Sequence, residues 1–291
     1  MNTRRDFLKQ SALLTTGLAL RPANFFKMDT AVGIQLYTLR DEIAKDAKGV
    51  IEKISAAGYK EVETFGLSKG QQFFGLSVKE FGQLLKANHL SSPSGHYLPE
   101  KMLFDKGNGD DVKKLCEVGH ILGHQYIVIP YLEEGRRKTI DQYKALAARM
   151  NKAGEICKKE NLQLAYHNHD FEFLPIDGKR GYDIFMNETD KDLVKLELDL
   201  YWVVRAGLDP VDLFKKQPGR FPLVHVKDMD KVDRTLNTEI GNGSIDFKRI
   251  LANSSLAGIK HYYLEQENNY VPNTIASIQK SFSFITKNLL K

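Results

Sequence analysis

From residue 31 onward the chain alternates short β-rich runs with longer helical patterns, eight times over. The β-rich runs cover 32–37, 61–65, 90–97, 126–130, 162–169, 194–200, 223–228 and 261–267. Between and after them, apolar residues recur at helical spacing over 47–57, 78–87, 110–122, 140–159, 182–186, 210–216, 246–251 and 274–289. Strict alternation demands parallel pairing, because each helix must carry the chain back to the start of the next strand. Eight such units close on themselves as a (β/α)8 TIM barrel, for which about 250 residues is typical. An open doubly wound sheet is the competing arrangement. It usually carries a glycine-rich phosphate loop after its first strand, and none is present here. No Pro/Ser-rich linker divides the segment 31–291, which reads as one domain.

The first 30 residues have another character. Arg4-Arg5-Asp6-Phe7-Leu8-Lys9 precedes a short apolar stretch over 12–20, the pattern of a twin-arginine export signal. The apolar stretch is shorter than the roughly 20 residues that a membrane span needs. The expectation is an exported, periplasmic protein with no stable membrane span. The formal charge is +5, but Arg4, Arg5, Lys9, Arg21 and Lys27 all fall in this leader and leave the remainder nearly neutral. A nearly neutral body lacks the basic face of a nucleic-acid partner. Cys116 and Cys157 both lie in helical patterns and read as small buried residues, with a single disulfide open to them in an oxidising compartment.

In a barrel strand alternate residues face inward, and barrel enzymes keep their chemistry at the strands' C-terminal ends. The last four runs place polar residues by that rule. His167 and His169 share a face, as do Glu197 and Asp199, His225 and Lys227, and Glu265 and Glu267. Gln35, Glu63 and His96 occupy comparable places in earlier runs. Carboxylates and imidazoles crowded in a barrel mouth repel or lose solvation unless a cation gathers them. Mixed nitrogen and oxygen donors suit one divalent ion: Mn, Zn, Co or Mg. A hydrogen-bonded polar network is the alternative reading.

At these residues the chain resembles the sugar phosphate isomerase/epimerase family of xylose isomerase-like barrels. The resemblance covers the whole of 31–290 and rests on several motifs. They are Val32-Gly33-Ile34-Gln35-Leu36-Tyr37-Thr38, Val62-Glu63-Thr64-Phe65-Gly66, Tyr166-His167-Asn168-His169-Asp170-Phe171-Glu172-Phe173, Leu198-Asp199-Leu200-Tyr201-Trp202, His225-Val226-Lys227-Asp228 and Glu265-Gln266. The resemblance implies a metal held by His167, Asp199, His225 and Glu265, with His167 standing where the family's epimerases carry a glutamate. That departure breaks the symmetrical pair of catalytic carboxylates, and Glu172 is a candidate to reach back in its place. It implies Glu265, His167 and Lys227 as catalytic groups. Gln35, Glu63, His96, His169 and Trp202 are the candidate substrate contacts. Lys227 has the alternative of a salt bridge to Asp228, and Trp202 that of packing bulk. His89, His120, His124 and His261 lie away from strand ends and read as structural or surface residues.

The expected substrate is a small sugar-like molecule. The expected activity is isomerisation or epimerisation by proton abstraction next to a carbonyl. Elimination on a keto-sugar or 3-keto-glycoside is the alternative, followed by phosphodiester hydrolysis of the endonuclease IV kind and by a non-catalytic sugar-binding barrel.

Overall fold

The computed structural model describes residues 31–105 and 107–290, so the export-signal expectation on 1–30 lies outside the described residues. Eight parallel strands close into a barrel: β1 (Val32–Gln35), β2 (Glu61–Thr64), β3 (Ser91–His96), β4 (Tyr126–Ile129), β5 (Gln163–His167), β6 (Val194–Asp199), β7 (Leu223–Val226) and β8 (His261–Leu264). Each pairs with its sequence neighbours, and β8 closes on β1 through Val32↔Tyr262, Gly33↔Tyr263 and Ile34↔Leu264. The strands stop one to three residues before most of the sequence runs do. The excess residues, among them His169, Lys227, Glu265 and Glu267, lie on the loops that begin at the barrel mouth.

The helices fall where the apolar periodicity placed them: α1 (Ala47–Ala57), α2 (Val78–Ala87), α3 (Asp110–Leu122), α4 (Ile140–Lys159), α5 (Gly181–Glu188), α6 (Pro210–Lys216), α7 (Phe247–Leu251) and α8 (Thr274–Phe284). The last expected helix ran to residue 289. Its final turn, Ile285–Leu289, widens into a π-helix. Local chemistry fixes the starts. Ser77 with Glu80 and Thr139 with Gln142 form reciprocal caps on α2 and α4. Short helices at Leu200–Arg205 and Glu100–Phe104 and three two-stranded ribbons decorate the loops; the sequence pattern did not reveal them. No helix among the described residues is long and apolar enough to cross a membrane.

The strands' alternation builds two cores. Outward residues such as Ile34, Val62, Ile127, Leu164, Leu198, Val224 and Leu264 pack under the helices. Inside the barrel, Tyr126, Val128, Ala165, Leu223 and Tyr263 form a separate apolar layer. His261 Nδ1, 2.8 Å from Glu61 Oε2, lies at the N-terminal ends of the strands and caps that layer from below. His124 bonds the Ser92 carbonyl and the Tyr97 hydroxyl between strands and helices, at 2.5 and 2.7 Å. Both histidines are therefore structural, as expected. Gly33 is required for this layer: a Cβ there would lie 2.5 Å from the Tyr263 ring. Cys116 and Cys157 are free, buried, and 4.0 Å apart between α3 and α4.

Candidate metal centre and active site

Above the apolar layer the interior turns polar. Glu63 on β2 accepts from Gln35 Nε2 at 2.7 Å and from Ser94 Oγ at 2.6 Å. Its Oε2 also lies 2.7 Å from His225 Nε2 and 3.1 Å from His96 Nε2. Glu197 on β6 faces it: Oε2 is 2.8 Å from His96 Nε2, 3.0 Å from His167 Nδ1 and 3.3 Å from His225 Nε2. Glu63, Glu197 and His225 are wholly buried. Burial resists the charge on Glu63, yet His96 and His225 outweigh it and hold the carboxyl well below its usual range. Burial and the Glu63 charge push Glu197 the other way, to about 7.

His225 carries the cluster upward. Its Nδ1 lies 3.0 Å from Glu265 Oε2, just past the end of β8. Lys227, two residues beyond His225, sets its ammonium 3.3 Å from the same Glu265 oxygen, 3.7 Å from Asp199 Oδ2, and against Glu267. Desolvation opposes a buried ammonium, but the charges of Glu265 and Asp199 raise its pKa and keep it protonated. Burial likewise opposes ionisation of Glu265, and the Lys227 and His225 charges overcome it and hold the carboxyl well below its usual range. Asp228 does not meet Lys227. Its carboxylate collects the backbone N–H groups of Met229, Gly241, Gly243 and Ile245 at 2.9–3.2 Å, which folds the loop after β7.

Asp199 ends β6 and caps the helix Leu200–Arg205. Oδ1 accepts from Tyr201 N at 2.8 Å and Trp202 N at 3.2 Å. Those bonds pin the carboxylate, while Oδ2 is buried without a hydrogen-bond partner. Burial raises Asp199 to about 6 against the pull of Lys227. An acceptor fixed in place without a hydrogen bond, 3.7 Å from the Lys227 ammonium, is suited to ligate a cation. Asp199, His225 and Glu265 offer ligand atoms within 4.8 Å of one another, and so do His96, His167, Glu197 and His225. The donor set therefore fits a divalent ion. Of the four expected ligands, three converge in the first set. His167 belongs to the second, with its Nε2 4.0 Å from Asp199 Oδ2.

The remaining expected residues line the mouth. His169 stacks on Phe171, with ring centroids 5.3 Å apart, and lies 5.4 Å from Trp202. Burial and the nearby Lys227 charge lower its pKa to about 3, so it is a neutral imidazole. Its Nδ1 and Trp202 Nε1 are both buried without a partner. The Lys227 ammonium sits 4.9 Å from the Trp202 ring centroid, which makes Trp202 part of the site rather than remote packing bulk. Glu172 does not reach the cluster. It accepts from the Tyr166 hydroxyl at 2.5 Å and the His169 backbone N–H at 2.8 Å, which places it under the β5 loop and away from the metal-ligand groups. Glu197 and Ser94 were not singled out for a role from sequence. Glu197's inward register beside Asp199 was the signal for it; nothing marks Ser94 until Glu63 is known to need a donor.

The chain belongs to the xylose isomerase-like TIM barrel family, whose model matches residues 51–287. Among curated relatives it is similar to an inosose dehydratase of Clostridium tetani, 29% identical over 163 residues, 50% of this chain and 54% of that protein. The chain thus spans about half the length of the curated relatives it matches. A solved sugar phosphate isomerase/epimerase from Parabacteroides distasonis superposes with a TM-score of 0.79 at 28% identity, over 95% of this chain and 99% of that one. The IOLI protein, solved with a binding zinc atom, shares the fold at a TM-score of 0.68 and 15% identity, over 88% of this chain and 97% of that one.

Proposed function

We propose that the chain is a metal-dependent lyase that enolises a keto-sugar or keto-cyclitol and expels the oxygen at the β-carbon. The observation that carries this reading is the contact of the buried Lys227 ammonium with Glu265, 3.3 Å away. Elimination needs one group that takes the α proton and returns it to the departing oxygen, beside a cation that steadies the enediolate. Epimerisation needs two groups that exchange a proton across the substrate carbon. Here the ionised Glu265 carboxylate stands beside the fixed Lys227 ammonium, and β5 carries His167 rather than a second carboxylate. The dehydratase name of the curated relatives agrees with it.

Asp199, His225 and Glu265, with His167 at their edge, would hold the ion. A bound Mn, Zn, Co or Mg would polarise the substrate carbonyl and acidify the neighbouring C–H bond. The chain's own groups do the rest. Glu265 takes the proton α to the carbonyl. Lys227 neutralises the enediolate oxygen as charge develops there. The electron pair of the broken C–H bond becomes the new C=C bond, and the β C–O bond breaks. The proton on Glu265 passes to the departing oxygen, which leaves as water or an alcohol. Trp202 Nε1 and His169 Nδ1 offer otherwise unmatched hydrogen-bonding atoms to substrate hydroxyls.

Isomerisation or epimerisation is the second reading, favoured by His167, whose buried ring faces Asp199 and can serve as the second proton carrier. The test is turnover of inososes and 3-keto-glycosides by manganese-loaded protein in deuterated water. A lyase yields an enone absorbing in the ultraviolet. Deuterium in a product of unchanged composition, with no enone, assigns the isomerase.

A further inference from the structure

A cleft of about 850 Å3 opens above the ends of β2, β3 and β4, on the side of the mouth away from the Asp199–His225–Glu265 set. His96 joins the two. Its Nε2 pairs with Glu63 and Glu197 in the polar interior, while its ring lines the cleft. It is also one of the places where the interior reaches solvent. The His96 side chain is 11% exposed, against 0–5% for Glu63, His167, Glu197, Asp199, His225, Lys227 and Glu265.

The cleft's lining is chemically mixed. Lys69, Lys101 and Lys114 are exposed, and among the described residues none makes an ion pair within 4.0 Å. Glu100, Asp110 and Asp111 match them in number, and Asn108 adds an amide. Cations balanced by carboxylates do not select a phosphate. Many donors and acceptors around a wide space suit a neutral, hydroxyl-rich ring. The wall is also held in shape. Asp111 accepts from Met102 N at 3.0 Å, Gly107 N donates to Lys101 O at 2.8 Å, and Arg149 bonds the Leu103 carbonyl. Sites of roughly 300–1,000 Å3 bury drug-sized ligands, so this volume is well above the need of one sugar ring.

We propose that this cleft is a second saccharide subsite, and that the substrate is a glycoside whose further ring lies there while the reacting ring meets the interior past His96. Only the kinetic arm of the test rests on the lyase reading. In the binding arm, glucose and cellobiose, neither of which carries the reactive ketone, are titrated calorimetrically into the full-length protein. Cellobiose is expected to bind at least about tenfold tighter. Combining Lys101→Ala, Asn108→Ala and Lys114→Ala, all exposed positions, should erase that advantage with the melting temperature unchanged. Equal affinities, an advantage that survives the substitutions, or no binding of either sugar at millimolar concentration overturns the proposal. In the kinetic arm, the same variant should raise KM about tenfold for a 3-keto-disaccharide, leave a methyl 3-keto-glucoside unaffected, and preserve kcat for both. Equal effects on the two substrates also overturn it. Absence of turnover on every ketone would remove the lyase reading and leave the binding arm to decide the subsite.

Discussion

His225 and Glu265 meet across the β7–β8 junction with Nδ1 3.0 Å from Oε2, both sealed from solvent. Two potential ligand atoms that close, beside the unsatisfied Asp199 Oδ2, mark the proposed place for a cation. Protein purified with manganese or zinc should hold one divalent ion per chain. His225→Ala removes the residue shared by both ligand sets and should weaken binding by about 10-fold or more, the scale at which even outer partners of metal ligands matter. Elemental analysis after dialysis checks it. Full occupancy in the variant would place the ion elsewhere.

Glu265 is the one expected ligand that matches a family acid/base carboxylate without substitution. Glu265→Gln keeps the shape and one acceptor but cannot take a proton. Turnover should fall by roughly 10²–10⁴, the usual cost of losing a general base. The circular dichroism spectrum should be unchanged. A loss under about tenfold would assign the base to another group, with His167 the first to test.

How much of this was legible beforehand follows from the physics of each feature. The eight strands and the helices between them were, because burial on a barrel's two sides writes periods of 2 and 3.6 directly into the sequence. Strand ends were not: His169 and Lys227 continue the alternation after the ladder bonds stop, so pattern alone overextends the strand. Register and inward alternation put Asp199, His225 and Glu265 at the mouth, and the family resemblance singled them out from their strand-mates Glu197, Lys227 and Glu267. The position of His167 did not follow from either, since one ring nitrogen faces Glu197 and the other Asp199, a choice of side-chain torsion. Glu172 offered a carboxylate at a plausible distance along the chain, but its partner Tyr166 points outward from β5 and draws it away.

Glu172 gives a pH prediction. Burial, partly opposed by its bonds to Tyr166 and backbone N–H groups, raises its pKa to about 7. A folded pKa above the unfolded value of about 4.3 means the stability this group allows is complete below pH 4 and lost as pH rises through 7. Across that window the loss is on the order of 3 kcal/mol. Glu172→Gln cannot ionise and should escape it. The melting temperature of the variant relative to the parent should therefore climb from pH 5 to pH 8. A difference that stays flat would mean Glu172 is already ionised at pH 5.

Arg4 and Arg5 head the stretch that reads as an export signal. Lysine keeps both charges but not a receptor-read arginine pair. The Arg4→Lys, Arg5→Lys double variant should accumulate in the cytoplasm in folded form, while the parent reaches the periplasm. Fractionation and immunoblotting decide it, and equal export of both would make the arginines incidental.

Lys227 is a fully buried ammonium with Asp199, Glu265 and Glu267 within 4.0 Å. In the metal-free protein its ammonium lies within 4.0 Å of both proposed ligand carboxylates, Asp199 and Glu265. Removing one member of a buried charge cluster strands the others, at a cost of about 3–5 kcal/mol. Lys227→Met retains the aliphatic bulk and so isolates the charge. For a chain of this size each kcal/mol is worth about 2 °C, so the metal-free variant should melt roughly 6–10 °C below the metal-free parent. A divalent ion brings positive charge to the same carboxylates. Saturating manganese should therefore raise the variant's melting temperature by more than the parent's and close over half of the gap. Turnover should stay low even then, because the ion cannot replace a donor placed over Trp202 at the substrate's oxygen. The same melting deficit with and without manganese would show that Lys227 and the ion do not share their carboxylates, and would move the metal centre to the His96–His167–Glu197 side of His225.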